Sequence, residues 1–153
     1  MTRVLVLNGP NLASLGRREP EVYGGATLAE IEQLVAARAA RYGIEVRFEQ
    51  SNHEGELIDV LEAERDRADA CILNGGALTH TSIALLDAVR GFARPVVEVH
   101  LSNIHAREPY RHASLTASAA RGIIAGLGPH GYELAVDAVA RILGITDDKG
   151  VTA

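Results

Sequence analysis

Residues 3–11 read Arg3-Val4-Leu5-Val6-Leu7-Asn8-Gly9-Pro10-Asn11. An aliphatic, β-branched run without polar alternation is the pattern of a short strand covered on both faces, the situation of strands in a parallel sheet. The Asn-Gly-Pro-Asn that follows is turn chemistry, so the chain is expected to leave the sheet there. Four further runs have the same character: Ile44 to Phe48, Ala70 to Leu73, Val96 to Leu101 and Ile123 to Ala125. Each reads as a short buried strand.

Helical patterns fill the intervals. Thr27-Leu28-Ala29-Glu30 has capping-box spacing and opens a helix expected to run to about Tyr42, where Gly43 can supply the C-cap. Ser51-Asn52-His53-Glu54 reads as a second box, opening a helix to about Ala68. A third helix is expected over about Thr81 to Phe92, ended by Pro95, and a fourth over about Gly131 to Leu143. Strict alternation of five strands with at least four helices is the α/β class. It implies a flavodoxin-like, doubly wound five-stranded parallel sheet of order 2-1-3-4-5 with helices on both faces. Right-handed crossovers then place every strand-to-helix loop at the carboxyl edge, where such sheets bind ligands.

The chain of 153 residues is long enough to bury roughly 70% of its unfolded surface without a disulfide, metal or partner. Fifteen basic residues against twenty acidic ones leave a net charge of −5, which offers no surface for phosphate backbones, so no nucleic-acid partner is expected. The single cysteine, Cys71, excludes an internal disulfide framework. No apolar run reaches the roughly 18 residues of a membrane span, and Met1 leads straight into the first strand-like run. A cytoplasmic protein without a membrane partner is expected. Of the fifteen basic residues only Lys149 is a lysine, in the polar stretch Asp147-Asp148-Lys149-Gly150. Covalent catalysis through a lysine imine needs a desolvated amine in a pocket, and this chain has none to place there.

The carboxyl-edge loops carry the chemistry. After the first strand come Asn11 and a Gly/Arg segment, Gly16 to Gly25, holding Arg17, Arg18 and Tyr23. The second strand is followed by Ser51-Asn52-His53-Glu54, the third by Asn74-Gly75-Gly76-Ala77-Leu78-Thr79-His80-Thr81. The fourth brings His100-Leu101-Ser102-Asn103-Ile104-His105, then Arg107 and Arg111. Together these loops form a hydrogen-bonding, mildly cationic pocket for a small, hydroxylated, anionic molecule. Each item alone has a structural counterpart: Asn-Gly is ordinary turn chemistry, His80 and His100 can cap an element, Arg17-Arg18 can be a solvated pair, and Tyr23 can pack its loop down. The histidines His100, His105 and His112 match no metal spacing, and Glu98 can equally orient a histidine, so no metal is expected. No G-x-G-x-x-G follows the first strand and no G-x-x-x-x-G-K-[ST] occurs anywhere.

At these loops the sequence resembles the type II 3-dehydroquinate dehydratases. The resemblance is carried by Leu7-Asn8-Gly9-Pro10-Asn11-Leu12, by Leu15-Gly16-Arg17-Arg18-Glu19-Pro20 with Tyr23-Gly24, and by Gln50-Ser51-Asn52-His53-Glu54-Gly55. It continues in Thr79-His80-Thr81-Ser82 with Asp87, in Glu98-Val99-His100-Leu101-Ser102-Asn103-Ile104, in Arg107 with Arg111-His112, and in Gly122 to Gly128 with Gly131-Tyr132. Departures are Asn74-Gly75-Gly76-Ala77, where the family usually writes Pro-Gly-Ala or Ala-Gly-Gly after Asn, together with Leu86 and Pro109. The Asn74 change bears on the backbone pose of that loop.

The resemblance implies a single catalytic α/β domain over residues 1–146, with 147–153 as a polar tail. It implies anti dehydration of 3-dehydroquinate to 3-dehydroshikimate through an enolate, without a Schiff base or cofactor, in the shikimate or quinate pathway. Tyr23 would be the base at carbon 2, with Arg18 on the same lid holding it near its ionised form. His100, oriented by Glu98, would be the acid for the hydroxyl leaving carbon 1, and Asn11 with a water would stabilise the enolate. Asn74 and the backbone at Leu101 and Ser102 would receive the carboxylate, and His80 and Arg111 the ring hydroxyls. Asp87 would reach the site of a neighbouring subunit in a homododecamer built from trimers. The chemistry asks for such groups on its own terms. A tyrosine of pKa about 10 needs a close cation to act as a base near neutrality. A hydroxyl leaves poorly unless protonated, and histidine suits that task. The competing reading from the fold is a flavin- or nucleotide-binding module, which would need a phosphate loop; a catalytically dead interaction protein is a third.

Overall fold

The five apolar runs form five parallel strands in the computed structural model, which describes residues 1–147. They are β1 (Arg3–Asn8), β2 (Glu45–Gln50), β3 (Ala70–Asn74), β4 (Val96–His100) and β5 (Gly122–Ala125), hydrogen-bonded in the order β2-β1-β3-β4-β5. Five α-helices accompany them: α1 (Pro20–Tyr23), α2 (Leu28–Ala40), α3 (Glu54–Glu64), α4 (Ile83–Phe92) and α5 (His130–Ile142). The one-turn α1, inside the Gly/Arg segment, is the helix that periodicity did not indicate. The flavodoxin-like order expected from the element count is the order observed. Lys149 and the expected tail beyond Asp147 lie outside the described residues; Asp147 itself pairs with Arg41.

The two-residue period of β1 sorts its side chains into two cores. Val4 and Val6 join Ile31 and Val35 of α2 and Tyr132, Val136 and Val139 of α5 on one face. Leu5 and Leu7 join Leu57 and Leu61 of α3 and Leu85, Val89 and Phe92 of α4 on the other. β1, β3 and β4 are buried as expected. The expectation of burial fails for β2 and β5, which are the outer strands and have one strand neighbour each. β2 mixes Glu45, Arg47 and Glu49 into its run, and Ile123 of β5 is 42% exposed.

Local signals met mixed outcomes. The Thr27 capping box forms, with the Glu30 N–H donating to Thr27 Oγ1 at 3.2 Å and the Thr27 N–H to Glu30 Oε2 at 3.4 Å. The Ser51 box does not. His53 occupies the N-cap of α3 without a side-chain cap, while Ser51 Oγ accepts from the His53 N–H at 2.9 Å and donates to Glu56. The turn out of β2 uses the hydroxyl two residues before the N-cap position, too early to cap the helix. α3 also stops at Glu64, short of Ala68, where the fully buried carboxylate meets Arg3 and Arg47. α4 ends at Phe92 and is capped by Ala93, which takes a left-handed conformation (φ 56°, ψ 22°) two residues before Pro95.

One buried polar network fixes the carboxyl edge. Tyr132 Oη of α5 donates to Asn8 Oδ1 at 2.6 Å and accepts from Asn74 Nδ2 at 2.9 Å. Asn8 Nδ2 donates to the Glu49 carbonyl at 3.2 Å, and the Gly9 N–H to the Asn74 carbonyl at 2.8 Å. Burial pushes the Tyr132 phenol well above its ordinary pKa, so it keeps the proton it donates.

Two predictions follow from these elements. Tyr132→Phe leaves Asn8 Oδ1 and Asn74 Nδ2 short of a buried partner and should lower stability by about 1–3 kcal/mol in urea denaturation. Ala93 is exposed, so Ala93→Gly relieves its left-handed backbone without losing packing and should raise stability by about 0.5–1 kcal/mol. A lower melting midpoint for Ala93→Gly would contradict that account.

Candidate active site

Three carboxyl-edge connections close around a pocket of about 110 Å³. After β1 the chain makes a short 3-10 turn (Leu12–Ser14) and then α1; after β3 comes a 3-10 turn over Gly76–His80; after β4 come turns at Ile104–Ala106 and Pro109–Arg111. Asn11, Arg18, Tyr23, Asn74, His80, His100, Leu101, Ser102 and Arg111 all line the pocket, and so does Arg107. Its volume lies well below the ~300–1,000 Å³ of larger ligand sites, so it suits a small polar molecule better than a flavin or dinucleotide.

Tyr23 sits at the end of α1, a turn started by Pro20, whose ring presets φ, and stopped by Gly24 at φ 84°. Its ring packs half-buried against the α2/α5 core. Two guanidinium groups donate to its phenol oxygen: Arg107 Nη1 at 3.0 Å and Arg18 Nη2 at 3.3 Å. Both also lie over the ring, with Cζ 4.6 Å (Arg18) and 5.2 Å (Arg107) from the centroid. Arg107 belongs to a matching motif, but the sequence alone assigns it no role. Arg107 is 84 residues from Tyr23, and no local pattern reports such a meeting. Arg107 is set in turn by His112 Nε2, which donates to the Arg107 carbonyl at 2.6 Å.

His100 ends β4 inside the pocket, and Glu98 lies two residues back, on the same face of the strand. Its Nε2 is 2.9 Å from Glu98 Oε2. Burial alone would push the Glu98 carboxyl up. Hydrogen bonds from His100, Thr116 and Ser114, with the charge of His100, outweigh it and hold the group below the usual carboxylate range. An ionised carboxylate only accepts, so Nε2 bears hydrogen, and Nδ1 is left without a protein partner among the described residues. The His80 ring is stacked on His100 with centroids 6.3 Å apart, and its Nδ1 donates to the Ala113 carbonyl at 2.8 Å.

The remaining expected residues are placed unequally. Asn11 adopts φ 69°, which asparagine tolerates, and its N–H donates to Asn52 Oδ1 at 3.0 Å. Asn74 gives one amide hydrogen to Tyr132 and accepts the Gly76 N–H at 3.1 Å, so it borders the pocket from a fixed pose. Gly75 there has φ −74° and ψ −2°, ordinary for any residue, while Gly76 carries the positive φ of 57°. A Cβ at Gly76 would also meet the Pro10 carbonyl oxygen at 2.9 Å. The departure at position 75 therefore demands no unusual backbone. Arg111 Nε donates to Glu108 at 3.1 Å at the pocket wall. Glu98 sits behind His100 and Asp87 on the exposed outer side of α4; neither lines the pocket.

Among the described residues no group of three or more His, Cys, Asp or Glu side chains is placed to hold a metal ion. His105 and His112 approach each other, with rings 6.4 Å apart, away from His100. No helix among them is long and apolar enough to cross a membrane.

Comparison with known proteins identifies a family and matching folds. The sequence matches the family described as dehydroquinase class II over residues 2–140. A 3-dehydroquinate dehydratase of Chelativorans sp. (strain BNC1) is 59% identical over 138 residues, covering 90% of this chain and 95% of the relative. The crystal structure of a type II dehydroquinase from Butyrivibrio crossotus superposes with a TM-score of 0.88 at 38% identity, covering 90% of this chain and 97% of that one. That from Propionibacterium acnes gives 0.88 at 39%, covering 92% and 97%. With this fold, this pocket and these relatives, the chain belongs to the class II dehydroquinase family.

Proposed function

We propose that the chain catalyses the dehydration of 3-dehydroquinate to 3-dehydroshikimate, as a step of the shikimate pathway or of quinate breakdown. The observation that carries this reading is the phenol oxygen of Tyr23, which receives two guanidinium donors at the pocket wall that also holds the His100–Glu98 pair.

In this reading Tyr23, as phenolate, takes the proton from carbon 2. Arg18 and Arg107 stabilise the negative charge that the oxygen carries before the transfer. The electron pair left at carbon 2 moves into an enolate, stabilised by Asn11 through a bound water. His100 then gives a proton to the hydroxyl on carbon 1. The carbon–oxygen bond breaks, water leaves on the face opposite the abstracted proton, and the enolate collapses to the conjugated ketone. Glu98 compensates the charge of the imidazolium. Asn74 with the backbone of Leu101 and Ser102 receives the substrate carboxylate, and His80 and Arg111 the ring hydroxyls. The reaction needs no cofactor or metal and no imine.

Ultraviolet absorbance of the conjugated product after addition of 3-dehydroquinate should show turnover that survives borohydride pretreatment. Tyr23→Phe should lower kcat by about 10²–10⁴-fold while leaving binding of a substrate analogue measurable. A wild-type rate in that variant would refute the base assignment.

The family's homododecamer, built from trimers, is proposed for this chain as well, with Asp87 serving a neighbouring site. Asp87 is exposed on α4 one turn from Ile83, an isoleucine 66% exposed, as a covered face would require. Light scattering should report a closed oligomer; a monomer with full activity would remove the role given to Asp87.

A further inference from the structure

The carboxylate behind His100 is held by a segment to which the proposed chemistry gives no part. Glu98 is fully buried, and both of its oxygens are occupied. Oε2 accepts from His100 Nε2 at 2.9 Å and from Ser114 Oγ at 2.7 Å, while Oε1 accepts from Thr116 Oγ1. The Ser114 hydroxyl is preset by the backbone. Ser114 Oγ accepts the Ala117 N–H at 3.0 Å, which leaves its own hydrogen for Glu98. Thr116 is itself fully buried and opens the 3-10 turn Thr116–Ala119.

A carboxylate taken out of water and left without donors becomes protonated. A neutral Glu98 would supply its own proton to His100 Nε2 and remove the charge that favours imidazolium. We propose that Ser114 and Thr116 are positioning residues for the dehydration. Their hydroxyls keep Glu98 a carboxylate and so fix hydrogen on His100 Nε2, leaving Nδ1 to carry the proton delivered to the departing hydroxyl. The proposal rests on the reading of His100 as the acid.

The surroundings of Glu98 leave few other groups to set its ionisation. Its register partners, Leu73 on β3 and Ile123 on β5, are apolar. His100 is the titratable side chain bonded to it, and His80 lies beyond, stacked on His100. The sign follows from the donors. They hold Glu98 below the usual carboxylate range, so removing one raises its pKa and moves the acidic limb of kcat to higher pH.

The test is kcat and KM for 3-dehydroquinate across pH in the full-length protein, with folding checked by circular dichroism. Thr116→Val keeps the shape and removes the donor. It should shift the acidic limb up by about one unit, so that kcat falls up to about tenfold on that limb, while the plateau near neutral pH and KM stay within about twofold. Thr116→Ser should restore the limb and the kcat on it. An unmoved limb in folded Thr116→Val would overturn the proposal, as would equal losses in the Val and Ser variants, which would mark a packing role. If Thr116→Val does not fold, Ser114→Ala, which removes the other hydroxyl, decides on the same two readouts. His100→Ala separates the parent reading: wild-type turnover there overturns the acid assignment itself, whatever the hydroxyl variants do.

Discussion

The site depends on one buried junction, the Tyr132 hydroxyl held between Asn8 and Asn74. Parallel strands end at a common edge only if something fixes where each stops. Here an asparagine ends β1, another ends β3, and they are register partners. The phenol from α5 satisfies both, and the free ends of the two amides reach onward, Asn8 to the Glu49 carbonyl of β2 and Asn74 to the Gly76 N–H. The loops after β1 and β3 therefore leave from fixed points. They lie so close that a Cβ at Gly9 would sit 2.5 Å from the Gly75 carbonyl oxygen. The network is costly to break, because a buried amide without a partner loses its hydration and gains nothing.

Two glutamates are fully buried in this fold, and their partners set their different uses. Glu64, toward the amino edge, meets the guanidinium groups of Arg3 and Arg47 and joins the end of α3 to β1 and β2. Two guanidinium groups offset its charge. Glu98, next to the carboxyl edge, is held by two hydroxyls and one imidazole. Hydroxyls stabilise the charge without cancelling it, so His100 is the one bonded partner of Glu98 able to carry a compensating positive charge. Buried charge is structural in the first case and, in the proposed dehydration, available to chemistry in the second.

Much of the fold was legible because parallel strands are read from continuous apolar runs, and Val4 to Leu7 or Ala70 to Leu73 have no other reading at that length. Edge position was less legible: β2 carries Glu45, Arg47 and Glu49, yet the aliphatic residues between them made it resemble an inner strand. Ser51 misled for a local reason, since its hydroxyl closes the turn on the His53 N–H before the helix starts. The residues carried by loop motifs, such as Asn11, Tyr23 and His100, do line one pocket, and each loop announces itself by its glycines and polar clusters. Arg107, Ser114 and Thr116 were not given roles, because their partners are assembled by the fold. Arg107 reaches Tyr23 across 84 positions, and Thr116 reaches Glu98 from the connection that leads into β5.

The Arg107–Tyr23 bond also bears on how the pocket is completed. Arg18 and Tyr23 share the segment between β1 and α2, whereas Arg107 belongs to the connection after β4, tied down by the His112 hydrogen bond to its carbonyl. The phenol oxygen proposed as the base is thus also an atom by which that segment is fastened to the rest of the pocket. Loss of the segment's pose would remove Tyr23 from the second guanidinium and open the site to water in the same movement. In the proposed reaction this couples activation of the base to enclosure of the substrate, since both guanidinium groups reach the phenol oxygen only while that wall is in place. With no lysine in the described pocket to hold a substrate covalently, that coupling is, in the proposed reaction, how a small, hydrated molecule is both enclosed and deprotonated.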